Sequence, residues 1–409
     1  MKKLILILTV LTLCICSFFF KGQNNNNEVV FWTLQMSDFS SYINNVIKEF
    51  ETQNPEIKIK WIDVPFSEGE KRTLASVLSN NPPDLVNLNP DFSAILAQKG
   101  ALQEITDTEQ FVPEIIESLK YNNKLYSIPW YATSAITIYN KKLTERANIS
   151  VPRTYSELGK IAPIIRDKTN AYAFLPNISE NDTMLKILNK YGINSADKIN
   201  SQKSVEVFEF FKNLYKKDLI PKESITQTHR EALEKYMSEN IVLFQAGANF
   251  LNMIKENAPS TYAHTDVAPQ IIGDLGQNDF SLMNFVIPVR AKHKDEALKF
   301  ALFLTNNENQ LELAKLTNIL AVNKTTLKNE FYTKYDQKDL MAKARVISAK
   351  QLNHVKPALK SERNQKEINT LINSATQEIL LNKQETQKIL DEVSKNWQSI
   401  NNTSHRNDD

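Results

Sequence analysis

From Glu28 onward, short apolar runs alternate with amphipathic stretches that close at proline or glycine, and this rhythm limits the folds open to the chain more than anything else in it. Strand-length apolar runs separated by helix-length amphipathic ones specify βα units laid on a sheet. The run EVVFWTL opens the series as a strand. In DFSSYINNVIKEFETQNP, Tyr42, Ile43, Val46, Ile47 and Phe50 recur at helical spacing, and Pro55 ends the helix. EIKIKWIDV then alternates at period two, with Ile57, Ile59 and Trp61 on one face, which makes a second strand. A helix from Glu68 to Ser79 leads through NNPPDLVNL into a third strand, and FSAILAQKG is a short helix closed by Gly100. Trp32 and Trp61, on alternating strand faces, are expected in the core.

From about Lys141 to Ala263 helical periodicity takes over, beginning at TYSELGKIAPIIRDK, where Thr154 and Glu157 have capping-box spacing. ENIVLFQAGANFLNMI reads as a strand, a turn of small residues and a helix. LMNFVIPVRAKHKDEALKFALFL resumes a strand and a long helix with the apolar stripe Ala297, Phe300, Ala301 and Leu304. A chain of 409 residues can bury at least two cores, and an α/β signal interrupted by a helix-rich insert fits two lobes.

Charge and spacing remove several function classes. Lys+Arg 49 against Asp+Glu 47 leaves a formal net charge of +2, so nothing marks a nucleic-acid partner. His229, His264, His293, His354 and His405 are far apart and show no metal-binding spacing, so no metal and no cofactor are expected. Met1-Lys2-Lys3, the apolar run Leu4 to Phe20 and then Lys21-Gly22-Gln23 form an export segment that holds both cysteines, Cys14 and Cys16. Neither cysteine follows a small residue and no Ala-x-Ala cleavage site follows the run. The exported body is therefore expected outside the cytoplasmic membrane, anchored by the segment itself or by lipidation in preference to release.

The stretch YSIPWYATSAITIYNKKL sets Trp130 and Tyr131 after a proline and before a strand-like run. With VVFWT, VIKEFETQNPEIKIKW, NNPPDLVNL, KGALQEI, VPRTYSELGKIA, YMSENIVLFQAGANF and KDEALKFALFLTNNENQLELA, taken in that order, the chain resembles the bacterial extracellular solute-binding proteins of sugar ABC importers, the maltose-binding-like family. It departs from that pattern in having only eight glycines, a reduced QAGANF stretch and an imperfect lipidation box. The resemblance implies an α/β, two-lobed periplasmic-binding-protein fold with discontinuous lobes joined by a hinge and a ligand cleft between them. It sets lobe 1 at 28–132 plus 281–321 and lobe 2 at 133–280 plus 322–400, after a signal or anchor segment and linker over 1–27. The chain crosses near Ala132, Leu275 and Val322, and the tail 401–409 is expected to be disordered.

The same resemblance offers site residues, each with a plainer role beside it. Trp130 and Tyr131 would stack on the apolar faces of a sugar, or cover the hinge strands. Asn89 and Asp91 follow the Pro-Asp strand and would accept hydrogen bonds, although Asp91 is as well placed to cap a helix. Gln35 maps to the loop after the first strand. Asn249 and Phe250 map to the second lobe's strand-to-helix turn, where they also fit a turn residue and an ordinary core ring. Asn284 is the weakest candidate, equally a satisfied core amide. The implied function is capture of a neutral solute, a sugar or oligosaccharide, and its delivery to ABC permease subunits by a monomer that is not an enzyme. An exported glycoside hydrolase, which needs paired carboxylates, and a ligand sensor without transport stand as alternatives.

Overall fold

The computed structural model describes residues 28–34, 36–352 and 364–406 of the chain. The export segment therefore lies outside the described residues. The chain divides into two compact units, one built from residues up to Asn87 with Ile287–Phe303, the other from Leu88–Val286 with the residues from Leu304 onward.

In the first unit β1 (Glu28–Leu34), β2 (Lys58–Val64) and β3 (Leu85–Leu88) follow the expected order. β1 runs parallel to β2 from Glu28 opposite Lys58 to Leu34 opposite Val64, and parallel to β3 through Phe31 and Trp32 opposite Leu85 and Val86. The helix Ser40–Gln53 buries Tyr42, Ile43, Val46 and Phe50, four of the five residues its spacing marks. The helix expected over Glu68 to Ser79 is found at Phe66–Val77. The returning segment supplies Phe300, whose ring meets the edges of Phe31 and Phe50 at 5.3 Å and 4.9 Å, with Ala297 and Ala301 buried beside it. That late contribution to an early core is what makes the unit discontinuous.

Trp32 and Trp61 are half-buried instead of enclosed. The polar end of Trp61 explains its position: Nε1 donates to the Thr33 hydroxyl at 2.8 Å, which donates to Asp63 at 2.6 Å. Asp63 also accepts the backbone N–H groups of Met36 and Ser37, each at 2.9 Å, and so fixes the chain after β1.

The second unit begins with the helix Pro90–Gln98, which ends at Gly100 in the left-handed region, φ +63°. A hairpin follows, β4 (Lys120–Tyr121) and β5 (Lys124–Leu125), turned by Asn122 and Asn123 with φ of 48° and 62°. Its spine is β6 (Ile128–Asn140), 13 residues long. The other strands are β7 (Leu243–Gly247), β8 (Thr265–Pro269), β9 (Phe280–Val286) and β10 (Leu320–Ala321). The first half of β6 pairs antiparallel with β9 and β10, and the second half pairs antiparallel with β7 and β8. Register slips between Pro129 and Tyr131, so Trp130 sits at a bulge.

Because β6 is unbroken, residues 128–132 stay with 133–140, and the unit boundary falls at 87/88, ahead of the 132/133 limit read from the sequence. The helices Gln365–Leu380 and Thr386–Arg406 close this unit's core, where Trp397 is buried with Leu158, Phe208 and Phe211. The last helix runs to Arg406, which corrects the expectation of a disordered tail from 401; residues 407–409 lie outside the described residues. With so few glycines, asparagine takes left-handed helix ends: Asn148, Asn170 and Asn318 are C-caps with φ of 52°, 62° and 58°.

Candidate functional site

A cavity of about 470 Å³ opens in the second unit, within the size range of small-molecule sites. Its walls come from β6 at Thr133 and Ala135, the head of the helix Tyr155–Thr169, the loop before the helix Thr183–Asn189 with that helix and Lys190, the start of the helix His229–Met237, β7 with its turn into the helix Phe250–Asn257, and the segment from Gln270 to Ser281.

The loop is held in an unusual backbone. Asn177 and Asn181 both take positive φ, 32° and 50°, a conformation that asparagine tolerates better than most residues. Between them, Glu180 Oε2 accepts Asn177 Nδ2 at 2.7 Å and the backbone N–H of His229 at 2.8 Å. Two donors on one oxygen fix the carboxylate against the wall of the cavity.

One wall is aromatic. The His229 imidazole stacks on Phe244 with centroids 4.8 Å apart and 29° between planes, and meets the edge of Phe250 at 4.9 Å. Phe244 and Phe250 are themselves edge to face at 5.8 Å. Gly247 serves the turn: a Cβ there would lie 2.5 Å from Asn249 Oδ1. Burial pulls the His229 pKa below its ordinary value, with Glu180 opposing, and pushes the Tyr155 phenol well above its own.

The opposite side is ionic but internally compensated. Lys190 is buried; its Nζ lies 2.8 Å from Asp279 and donates to Gln270 Oε1 at 3.0 Å and to the Ile271 carbonyl at 2.9 Å, which uses all three ammonium protons. Gly273 lets the chain approach, since a Cβ there would lie 2.7 Å from the Lys190 carbonyl oxygen. Lys186 pairs with Asp182 at 3.1 Å. Burial works against the Lys186 ammonium, yet Asp182, with Asp279 and Asp91 further away, outweighs it and raises the pKa. Among the described residues the two lysines that line the cavity, Lys186 and Lys190, thus each have a carboxylate, and no arginine lines it, so no free cation there clamps a phosphate or a free carboxylate. Two of its three carboxylates are likewise committed to lysines. Lys190→Met leaves the partly exposed Asp279 carboxylate without its cation, while Gln270 Oε1 keeps the Asp279 N–H at 2.9 Å, and we expect it to lower unfolding free energy by about 2 kcal/mol in urea titration; an unchanged midpoint would show the ion pair to be dispensable.

Of the residues singled out from the sequence, Asn249 and Phe250 line this cavity. Trp130 is corrected to core packing: it is 0 % exposed, tilted over Phe285 at 4.6 Å, with Tyr131 at 5.1 Å, and has no surface for a ligand. Tyr131 is half-buried beside it, its phenol pushed up to about 12 by burial. The helix cap is Asn89, whose Oδ1 accepts the Phe92 N–H at 3.0 Å, and not Asp91, which lies exposed in the first turn. Asn284 is fully buried and donates to Ser93 Oγ at 2.6 Å, as a core amide does. Gln35 lies outside the described residues. Sequence reasoning missed Glu180, Lys190, His229 and Asp279. The one local trace was Thr228-x-x-Glu231, a true capping box whose Thr228 N–H donates to Glu231 at 2.8 Å and which sets His229 at the helix start. Thr154 does cap its helix, accepting the Glu157 N–H at 3.1 Å, while the Glu157 carboxylate reaches back to the Arg153 N–H instead.

Two α/β units, each assembled from two separate segments of the chain, one around a parallel sheet and the other holding a cavity of paired charges and aromatic rings, define a solute-binding protein of the periplasmic-binding class. The profile of the family described as bacterial extracellular solute-binding protein matches residues 35–311, and the chain belongs to that family. Relatives include the multiple sugar-binding protein of Streptococcus mutans, 25% identical over 331 residues covering 73% of this chain and 76% of that one. The mannitol-binding protein of Pseudomonas aeruginosa is 21% identical over 344 residues, 76% and 77% of the two chains. Among solved structures, a periplasmic-binding protein from Synechococcus sp. MITs9220 matches with TM-score 0.83 and 27% identity over 92% of this chain and 99% of that one. The sugar-binding protein MalE of Xanthomonas citri shares the fold at TM-score 0.80 and 19% identity, over 92% and 98%.

Proposed function

We propose that this protein is the substrate-binding component of an ABC importer, and that it captures a neutral sugar, oligosaccharide or polyol and hands it to the membrane permease without chemical change. The observation that carries the reading is the cavity's charge pairing: both lysines are neutralised from within, while amides, one fixed carboxylate and aromatic rings remain for hydroxyls and C–H faces. Names borne by relatives, sugar-binding, mannitol-binding and maltotriose-binding, support it. Asn249, Phe250 and Glu180 are the ligand contacts in this proposal. No helix among the described residues is long and apolar enough to cross a membrane. Attachment to the cell envelope is accordingly assigned to the export segment, through its apolar run or through Cys14 or Cys16.

A thermal-shift screen of residues 28–406 against neutral mono- and oligosaccharides, polyols and sugar phosphates tests the assignment. A ligand bound only by the native state raises the melting temperature, by about 2.7 kcal/mol of added stability at a hundredfold excess over Kd. We expect a neutral sugar or polyol to give the shift and to be recovered intact. Cleavage of the hit would move the protein to the hydrolases, and a shift given by sugar phosphates alone would overturn the charge argument.

A further inference from the structure

His229 is a ring in the aromatic wall of the cavity whose polar chemistry the packing leaves unused. Its backbone N–H is bound to Glu180, its ring face lies on Phe244 and its edge meets Phe250. Among the described residues neither ring nitrogen has a hydrogen-bond partner, and the residue is only partly buried, on the cavity wall. A neutral imidazole carries one donor and one acceptor, which is also what a sugar hydroxyl carries. Two phenyl rings would have sufficed for apolar packing.

We propose that His229 is a specificity-determining ligand contact, whose neutral imidazole engages a hydroxyl of the bound solute and whose protonation competes with binding. The proposal rests on the sugar-binding reading above. The charged groups around the ring are few. The loop presents Glu180 and Asp182, the latter held by Lys186, and the ring's own helix presents Arg230 and Glu231, the latter spent on Thr228. β7 meets the ring through Phe244 and the helix after it through Phe250, while that helix's Lys255 and Glu256 are exposed. A solute that covers the ring removes more of its water and uses its acceptor nitrogen, so both effects favour the neutral form. With the pKa already below the ordinary 6.5, the sign follows: the complex binds fewer protons than the free protein, and affinity falls as pH drops through the free-protein pKa. One linked proton sets a ceiling of about tenfold per pH unit.

The test uses residues 28–406 and the same panel, with maltotriose and mannitol included, and follows the His229 ring by NMR against the other histidines. We expect the panel member that raises the melting temperature to shift the His229 ring resonances and lower its pKa. We also expect its affinity to be several-fold weaker near pH 5 than near pH 7.5. His229→Phe keeps the ring stack and removes both nitrogens; it should weaken binding about tenfold and flatten the pH profile. His229→Gln, which restores a donor and an acceptor without a titration, should recover part of the affinity and also be flat. If a panel member binds but leaves the His229 resonances and the pH profile of both variants as in wild type, His229 is packing and the inference is wrong, while the sugar reading survives. If no panel member binds, the sugar reading fails and takes this inference with it.

Discussion

Trp130→Ala should cost about 4 kcal/mol of stability and leave solute affinity in the folded fraction unchanged. The ring has no exposed surface, lies 4.6 Å from Phe285 and touches Tyr131, so truncation removes a large buried volume and opens a cavity that the β6–β9 pairing cannot collapse. Removal of a buried tryptophan or phenylalanine to alanine costs about 3–5 kcal/mol for these two reasons. Gln310 limits that collapse, because its side-chain amide donates to the Trp130 backbone carbonyl, which alanine keeps, while its own carbonyl accepts the Val322 N–H at 2.8 Å, so the bulge stays tied to the chain beyond β10. Urea unfolding reads the stability and titration with the panel's hit reads the affinity. A variant as stable as wild type that has lost binding would restore the aromatic pair to the ligand site.

The same strand shows how much of the molecule the sequence carried. From Trp130 to Ser134, burial alternates: Trp130, Ala132 and Ser134 are buried, while Tyr131 and Thr133 are half-exposed. Period two alone places Trp130 on the inner face, and its proximity to a family hinge was the weaker guide. Strands and helices were legible because one face of each must be apolar: the stripe Ala297, Phe300, Ala301 and Leu304 is buried as its spacing requires. The site was legible only where it is local. Asn249 and Phe250 sit in one recognisable turn, whereas the Lys190–Asp279 pair joins residues far apart in the chain, and the stack of His229 on Phe244 depends on a helix start meeting a strand end. A net charge of +2 says nothing of which lysine finds which carboxylate.

Asp84→Ala should be as damaging in the first unit, and for a reason already written in the sequence NNPPDLVNL. Asp84 is 3 % exposed, and its carboxylate gathers three backbone donors: Val30 at 2.9 Å on Oδ2, and Lys292 at 2.9 Å with His293 at 3.0 Å on Oδ1. Its own N–H returns to the Val30 carbonyl at 2.8 Å, so the residue clasps β1 in both directions. One side chain therefore holds the entry of β3 to β1 and to the returning segment that brings Phe300 into the core. Hydrogen bonds to a charged acceptor contribute about 1.5–3 kcal/mol each, and the three N–H groups would be left without their partner in a largely dry place. We expect a loss of about 4 kcal/mol for alanine and about half that for asparagine, whose oxygen can serve one side while its amide faces the donors on the other. Because two units need not unfold together, hydrogen exchange at Val30, Lys292 and His293 is the decisive readout, and all three amides should lose protection in parallel. Loss at Val30 alone would mean that the returning segment is held by the Phe300 packing without the clasp, and retained protection at all three would remove Asp84 from the framework of the unit.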